Sequence, residues 1–258
     1  MIMTNRHREL TLSENDAQAK LKSSTRRGFL VGGLAAAAGL GGYEWLTRSG
    51  QIGEVPWPQR AVLDFNGKLA KAYLSHARQM PTFPPERIGK LKANGQLGLD
   101  DDDELKTWKL TFEPGANVKP LDLTLADVQG LPVVKMITNF CCIEGWNTIA
   151  QWTGVRFADF LQKYAPPGSE LPPYVYMSTP DEEYYVGLDT KSAMHPQTLL
   201  AWELNGEALT PDHGAPLRLV IPVKYGVKNL KRIGKIRLME KRPADYWAEN
   251  GYDWFAGL

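Results

Sequence analysis

Cys141 and Cys142 stand side by side within TNFCCIEGWNTIAQWTGVRF, residues 138–157, and are the two cysteines of the chain. A disulfide between neighbours would close a strained ring and staple no loop, which argues against a structural bridge. The chemistry left to such a thiolate is that of a nucleophile, a redox sensor or a metal ligand, beside the inert role of a small packed residue. Glu144 and Trp146 follow at once. The carboxylate can face a substrate or bond backbone N–H groups, and the indole can be a substrate platform or part of the core. The second chemical cluster is HGAPLRLVIPVKYGVKNLKR, residues 213–232, where His213 and Arg218 are followed by Lys224, Lys228, Lys231 and Arg232. A planar Arg fork and Lys point charges suit a phosphate, and Gly226 lets the backbone approach closely and offer N–H donors. The alternative is that these cations solubilise a strand and its turn.

This clustering is local. Thirty Lys and Arg stand against twenty-nine Asp and Glu, a formal charge of +1, so no global field favours nucleic acid or an anionic membrane. At 258 residues and 43% apolar composition the chain can bury one sizeable core and at most a small second lobe. The run of acids from Asp100 to Glu104 reads as a solvated turn, because contiguous carboxylates repel and do not converge on one ion.

The N-terminus carries SSTRRGFLVGGLAAAAGLGGYEWL, in which Arg26 and Arg27 precede Phe29, Leu30 and an uncharged run to Tyr43. The pattern looks like a twin-arginine export signal, and the alternative is a basic helix end before a short buried helix. Counted from Gly28 the run is about sixteen residues, short for a bilayer span of ~20. No A-x-A site follows it, which leaves open cleavage or retention as a membrane anchor. Such signals commonly serve proteins that fold around a cofactor before crossing, so a periplasmic location and a cofactor are expected.

Residues 51–58 read as a Pro-containing linker, and residues 61–78 have helical spacing. PTFPPERIGKLKANGQLG, residues 81–98, reads as an extended segment lying on the body of the protein. From Trp108 onward, TWKLTFEP, LDLTLADV, VVKMITNF, YVYMST, YYVGLD, TLLAWELNG, PLRLVIPV and GKIRLME alternate like strands separated by turn residues. Residues 155–164 and 245–255 are expected to be helical. The sum is an α+β fold, mixed and β-rich, with residues 1–50 as signal or anchor with linker and one main domain over 55–258.

Cys142, Glu144, Gly145 and Trp146 in CCIEGW, then Trp152 and Gly154 in WTGVRFADFL, resemble the cofactor segment of bacterial molybdopterin oxidoreductases of the sulfite oxidase superfamily. Residues 193–238 are similar to the pterin-binding region of that family, with its H-G-x-P-x-R element and the following G-x-K-x-x-K. The likeness covers residues 107–238, about half the chain. It implies a molybdenum-molybdopterin cofactor with Cys142 as the molybdenum ligand, a soft thiolate complementing a soft ene-dithiolate. His213, Arg218, Asn229, Leu230 and Lys231 are implied as cofactor contacts, as is Thr179, with Ser178 as its alternative. Asn94 in KANGQLG is a candidate for a further contact upstream. Cys141 has no implied role.

Sulfite-oxidising relatives follow the cysteine with arginines that hold an oxyanion, whereas this chain has Ile143, Glu144 and Trp146 there. A carboxylate would repel sulfite. The resemblance therefore implies two-electron or oxygen-atom transfer chemistry that reduces a sulfoxide-type substrate, small or protein-bound, with Glu144 and Trp146 selecting it. The chain has no C-x-x-C-H haem motif and no cysteine cluster for iron and sulfur, so a membrane haem or quinone-linked electron-transfer partner is expected. The alternatives are a sulfite-type dehydrogenase and a cofactor-free binding or accessory protein on the same fold.

Overall fold

The structure, a computed structural model, describes residues 14–75, 77–99, 104–115, 118–168 and 170–258. The acids at 100–103 lie outside the described residues. The chain forms two compact units, residues 1–50 and 51–258.

In the first unit a single helix, α1, runs over Glu14–Arg48. Its portion Thr25–Arg48 is 24 residues long and apolar enough to cross a membrane by length and composition. At 1.5 Å per residue that is ~36 Å, more than the sixteen-residue run implied. The helix does not stop at Tyr43: it continues to Arg48, whose guanidinium pairs with Glu44 one turn earlier at 2.6 Å.

In the second unit the expected linker is ordered. β1 (Gln51–Ile52) and β2 (Val55–Pro56) form an antiparallel hairpin that turns through Gly53 at φ +65°. Helix α2 (Trp57–Tyr73) starts earlier than its apolar spacing predicts, because Pro58 sits in the first turn, where a missing N–H costs no hydrogen bond. It also ends earlier, with Leu74 extended. The segment from Thr82 is irregular and lies along a sheet, as expected: Phe83 N–H donates to Ile137 O and Gly89 N–H to Ile149 O.

The chain continues through α3 (Glu104–Thr107), β3 (Leu110–Glu113), β4 (Leu121–Leu123), α4 (Leu125–Gln129), β5 (Val133–Cys141), β6 (Asn147–Arg156) and α5 (Phe157–Tyr164). It then forms β7 (Tyr174–Ser178), β8 (Tyr185–Asp189), α6 (Thr190–Ala193), β9 (Leu199–Leu204), β10 (Glu207–Ala208), β11 (Arg218–Val220), β12 (Lys235–Met239) and α7 (Tyr246–Glu249). One sheet has the order β10-β9-β6-β5, with β11 also paired to β9, and all its pairs are antiparallel. The other has the order β4-β3-β12-β7-β8, in which β12 lies parallel to β3.

The larger core joins the two sheets. Leu110, Phe112, Val175, Met177 and Ile236 of the second pack with Val155, Leu200 and Leu219 of the first and with Phe157 and Phe160 of α5. Phe112 and Phe160 meet edge to face at 5.2 Å. A smaller cluster of Met136, Phe140, Ala150, Trp152, Leu199 and Ala201 gathers with Leu91 of the irregular segment. Gly154 lets β6 and β9 approach at a register shift, since a Cβ there would stand 2.2 Å from Leu200 O. The β5–β6 hairpin and the β11–β12 connection thus bring the two chemical clusters of the sequence onto one rigid body.

The expected C-terminal helix is shorter than its pattern. Asp245 caps α7 by accepting from Ala248 N–H, and the chain leaves the helix after Glu249 to return as a bridge between Gly257 and Lys224.

Candidate active site

The tip of the β5–β6 hairpin is a tight turn. Cys142 N–H donates to Trp146 O at 2.9 Å, Gly145 N–H donates to Cys142 O at 3.1 Å, and Gly145 takes φ +90°, a value that favours glycine. Cys142, 9% exposed, faces a cavity of about 340 Å³ together with Ile143 and Glu144. Opposite walls come from the 91–97 segment, from His213 and Arg218, from the 226–231 loop and from Trp247 and Tyr252.

Arg218 is the strongest electrostatic feature of this cavity. It is 2% exposed, and among the described residues no carboxylate forms an ion pair with it. Its Nη1 donates to His213 O at 2.8 Å and its Nη2 to Asn229 O at 3.3 Å, while buried Nε has no hydrogen-bond partner. The rings of Trp152, 4.8 Å away, and Phe140, 5.7 Å away, supply part of the missing negative potential. Burial pulls its pKa down to about 10. A buried cation with an unspent donor beside a cavity is a site for an anion.

The neighbours agree with that reading. His213 Nδ1 is buried without a partner, and desolvation, then the Arg218 and Lys231 charges, hold the ring pKa below its usual value. Lys231 donates through Nζ to Asn94 O at 2.6 Å and Gly95 O at 3.0 Å, and burial, then the Arg218 charge, lower its pKa to about 8. Lys231 therefore carries its charge below about pH 8 and loses it above. The affinity of the apoprotein for inorganic phosphate or pyrophosphate is expected to fall as pH rises from 7 to 9, and a Lys231→Gln variant is expected to lack that slope. Calorimetric titration of both proteins across this range measures it. For folding the sign is opposite: the depressed pKa adds stability as pH rises from about 8 towards the unfolded value of 10.5.

Not every predicted contact reaches the cavity. Cys142, Glu144, His213, Arg218, Asn229 and Lys231 line it, while Thr179 and Leu230 do not. The Thr179 hydroxyl donates to Asp181 and accepts from Tyr184 N–H in a turn beneath the 94–98 loop. Leu230 points into the main core, and its backbone O accepts from Leu219 N–H. Asn229 is held by its own amide, accepting from Ile221 N–H and donating to Tyr225 O.

The basic cluster also divides. Lys228 Nζ pairs with Asp245 and donates to Gly187 O at 2.9 Å; Lys224 Nζ donates to Phe255 O at 2.7 Å and stands 4.0 Å from Asp189. Neither lysine lines the cavity, and Arg232 is buried elsewhere. These two lysines fasten the C-terminal segment, and the charge pattern alone could not distinguish them from anion ligands. Burial pushes both lysine pKa values down, opposed by the facing carboxylates. Asp245→Leu is expected to cost ~3–5 kcal/mol by stranding the Lys228 charge, with the charge-stranding part recovered in Asp245→Leu/Lys228→Met and the loss of the bonds to Ala248 N–H and Gly187 N–H remaining, as urea unfolding of the apoprotein reads.

At the mouth, Glu144 accepts a hydrogen bond from Trp146 Nε1 at 2.8 Å, so the acid is tied to the indole and not to backbone N–H groups. Trp146 stacks on Phe140, with ring centres 6.2 Å apart, and the Lys92 ammonium lies 5.9 Å from the Trp146 ring. Tyr184, Trp247 and Tyr252 complete the wall. Sequence reasoning missed all three, because two belong to a segment read as a helix and Tyr184 to a strand start. Asn94, the candidate upstream contact, lies in the wall with Nδ2 3.7 Å from Cys142 Sγ. Cys141 lies outside the cavity, accepting from Asn139 Nδ2 at 3.3 Å, and desolvation raises its pKa. An anion-binding end built from Arg218, His213 and Lys231, and a soft thiol in the same cavity, fit a group that carries both a phosphate and a thiophilic metal.

The family model for the oxidoreductase molybdopterin-binding domain matches residues 97–247. Among curated proteins, the protein-methionine-sulfoxide reductase catalytic subunit MsrP of Xanthomonas campestris pv. campestris is 36% identical over 173 residues, covering 59% of this chain and 53% of that protein. MsrP of Campylobacter jejuni is 34% identical over 181 residues, covering 63% of this chain and 60% of that one. MsrP of Ralstonia nicotianae is 31% identical over 234 residues, covering 79% and 70%. The match thus spans between about half and 70% of the length of these relatives. Among solved structures, the sulfane dehydrogenase SoxCD of Paracoccus pantotrophus aligns with a TM-score of 0.47 at 20% identity, over 65% of this chain and 46% of that one. With more than half of its length matched, and with a cavity that suits the group, the chain belongs to the oxidoreductase molybdopterin-binding domain family and is an oxidoreductase with a molybdenum-molybdopterin cofactor.

Proposed function

We propose that this protein reduces a sulfoxide-type substrate, small or protein-bound. The observation that carries the reading is the convergence of Cys142, Arg218, His213 and Lys231 on one cavity whose mouth bears the carboxylate Glu144. Cys142 would ligate the metal through its thiolate, and Arg218, His213 and Lys231 would hold the phosphate. When bound, the molybdenum centre supplies two-electron oxygen-atom transfer. The protein sets geometry and proton supply. Leu97 and Ile143 offer an apolar rim, Trp146 stands behind it holding Glu144 through its indole N–H, and the exposed Glu144 carboxylate can pass protons from solvent towards the oxygen that leaves as water. A charged oxyanion such as sulfite would be repelled by the same carboxylate. The relatives' printed activity on protein methionine sulfoxide supports the substrate class.

Two electrons are consumed per sulfoxide. The relatives are named as catalytic subunits, and the two cysteines of this chain cannot hold an iron–sulfur cluster, so a separate membrane haem or quinone-linked subunit is proposed as the donor. Residues 1–50 would act as a twin-arginine signal or anchor and residues 55–258 as the catalytic domain in the periplasm. Arg26→Lys with Arg27→Lys is expected to leave the protein in the cytoplasm; normal export of that variant would remove the signal reading.

The activity is tested by metal analysis and by two assays on protein made in a host fed molybdate and competent in pterin maturation. Near-stoichiometric molybdenum, with methionine sulfoxide reduced by a viologen dye and no sulfite oxidation, is the expected result. Metal-free protein would favour a binding role, and sulfite oxidation in preference to sulfoxide reduction would overturn the substrate assignment.

A further inference from the structure

The thiol of Cys142 has one polar neighbour with a specific origin. Asn94 Nδ2 approaches its Sγ at 3.7 Å, within reach of a hydrogen bond to sulfur. Asn94 does not reach this position by its own packing, since it is half-buried in a loop with no helix or strand around it. The loop is pinned at both ends. At one end Lys231 Nζ donates to the carbonyls of Asn94 and Gly95, the latter at φ +72°. At the other, Gly98, at φ +73°, lies so close to Thr179 that a Cβ would stand 2.5 Å from its Cγ2.

We propose that Asn94 is a positioning residue whose amide donates to the Cys142 thiolate and raises the reduction potential of the metal it ligates, and that Lys231 is the latch that holds the amide there. The inference rests on the reading of Cys142 as the metal ligand. A hydrogen bond to a ligating sulfur withdraws electron density from it, weakens its donation and favours the reduced metal; such outer-shell donors are established levers on metal potentials. One ammonium then serves two ends of the cavity. Lys231 faces the anion site beside Arg218 and spends two of its three donors on the loop that carries Asn94. Thr179, implied by resemblance as a cofactor contact, acts in this arrangement as the floor on which the loop turns.

The test is a redox titration of the metal-loaded protein followed by the electron paramagnetic resonance of its one-electron-reduced molybdenum. Wild type is compared with Asn94→Leu, which keeps the volume and loses the donor, with Lys231→Met, and with the double variant. The midpoint potential, read on the molybdenum that each variant holds, is expected to shift negative in Asn94→Leu, to shift the same way in Lys231→Met, and to move no further in the double variant. Lys231→Met is also followed in the apoprotein by amide hydrogen exchange, where residues 94–99 are expected to exchange faster than in wild type. A wild-type potential in Asn94→Leu overturns the tuning role, and unchanged exchange in Lys231→Met overturns the latch. Cys142→Ser separates this from the underlying reading: a resonance spectrum identical to wild type would show that Cys142 is not the ligand, whereas an altered spectrum with an unshifted Asn94→Leu potential rejects the inference alone.

Discussion

Arg218→Met is expected to yield folded protein that retains little or no cofactor. The Arg218 guanidinium is buried, stacked near Trp152 and Phe140, and spends two of its five N–H donors on protein carbonyls, with Nε unpartnered. Hydrogen bonds to charged groups are worth about 1.5–3 kcal/mol each, so losing a two-pronged contact to a phosphate weakens binding by roughly a hundredfold or more. The apoprotein behaves differently. Removing an uncompensated buried charge relieves a desolvation cost, while His213 O and Asn229 O each lose a donor at about 1–3 kcal/mol. These effects oppose each other, so the apoprotein melting temperature should move by only a few degrees. Arg218→Lys keeps the charge and loses the fork, and should load at an intermediate level. Molybdenum and pterin per chain, measured beside the thermal melt of each apoprotein, read the two effects separately. Full loading of the methionine variant would make Arg218 a structural cation and move the anion site to Lys231 and His213.

How much of this was legible in the sequence follows from what each signal reports. Alternation marked most strands, since a strand with one buried face repeats every second residue; Phe112, Met177 and Ile236 sit where that pattern puts them. It failed for β6, whose NTIAQWTGVR is buried on both faces near its end and carries a register shift at Gly154, so its period is broken. The C-terminal residues 246–255 have aromatic residues at helical spacing, yet two buried lysines reach from the 224–228 segment and hold the chain in another course. No local pattern encodes a partner at long sequence separation. For the same reason Lys224, Lys228 and Lys231 look alike in a row of basic residues, although two are internal ion-pair or carbonyl donors and one faces the cavity. Adjacent residue type identified Cys142 and Arg218, but only the fold distinguishes the lysines and brings Asn94, Tyr184, Trp247 and Tyr252 to the same wall.

Cys142→Ser and Cys141→Ser differ by one position in the chain and are expected to differ by more than a hundredfold in sulfoxide reduction. Strand alternation is the physical reason, because neighbouring side chains at the end of β5 leave on opposite sides and Cys142 alone of the pair lines the cavity. Losing an outer-shell partner of a metal already costs 10–100-fold, and replacing the ligand itself, a soft thiolate by a hard hydroxyl, should exceed about a hundredfold. The pterin should remain in Cys142→Ser, since its phosphate contacts lie across the cavity at Arg218, His213 and Lys231. Cys141 has none of these duties: its sulfur accepts from Asn139 Nδ2, and burial raises its pKa, so it stays a protonated thiol near neutral pH. A serine hydroxyl can accept the same hydrogen bond, which places the expected effect of Cys141→Ser within about twofold, less than ~0.5 kcal/mol in the barrier. Steady-state rates normalised to molybdenum, with pterin measured by its oxidised fluorescent product, decide the matter. Equal loss in the two variants would mean that the hairpin tip presents its thiols differently in the loaded enzyme, and the ligand would then be reassigned by the resonance spectrum of each variant.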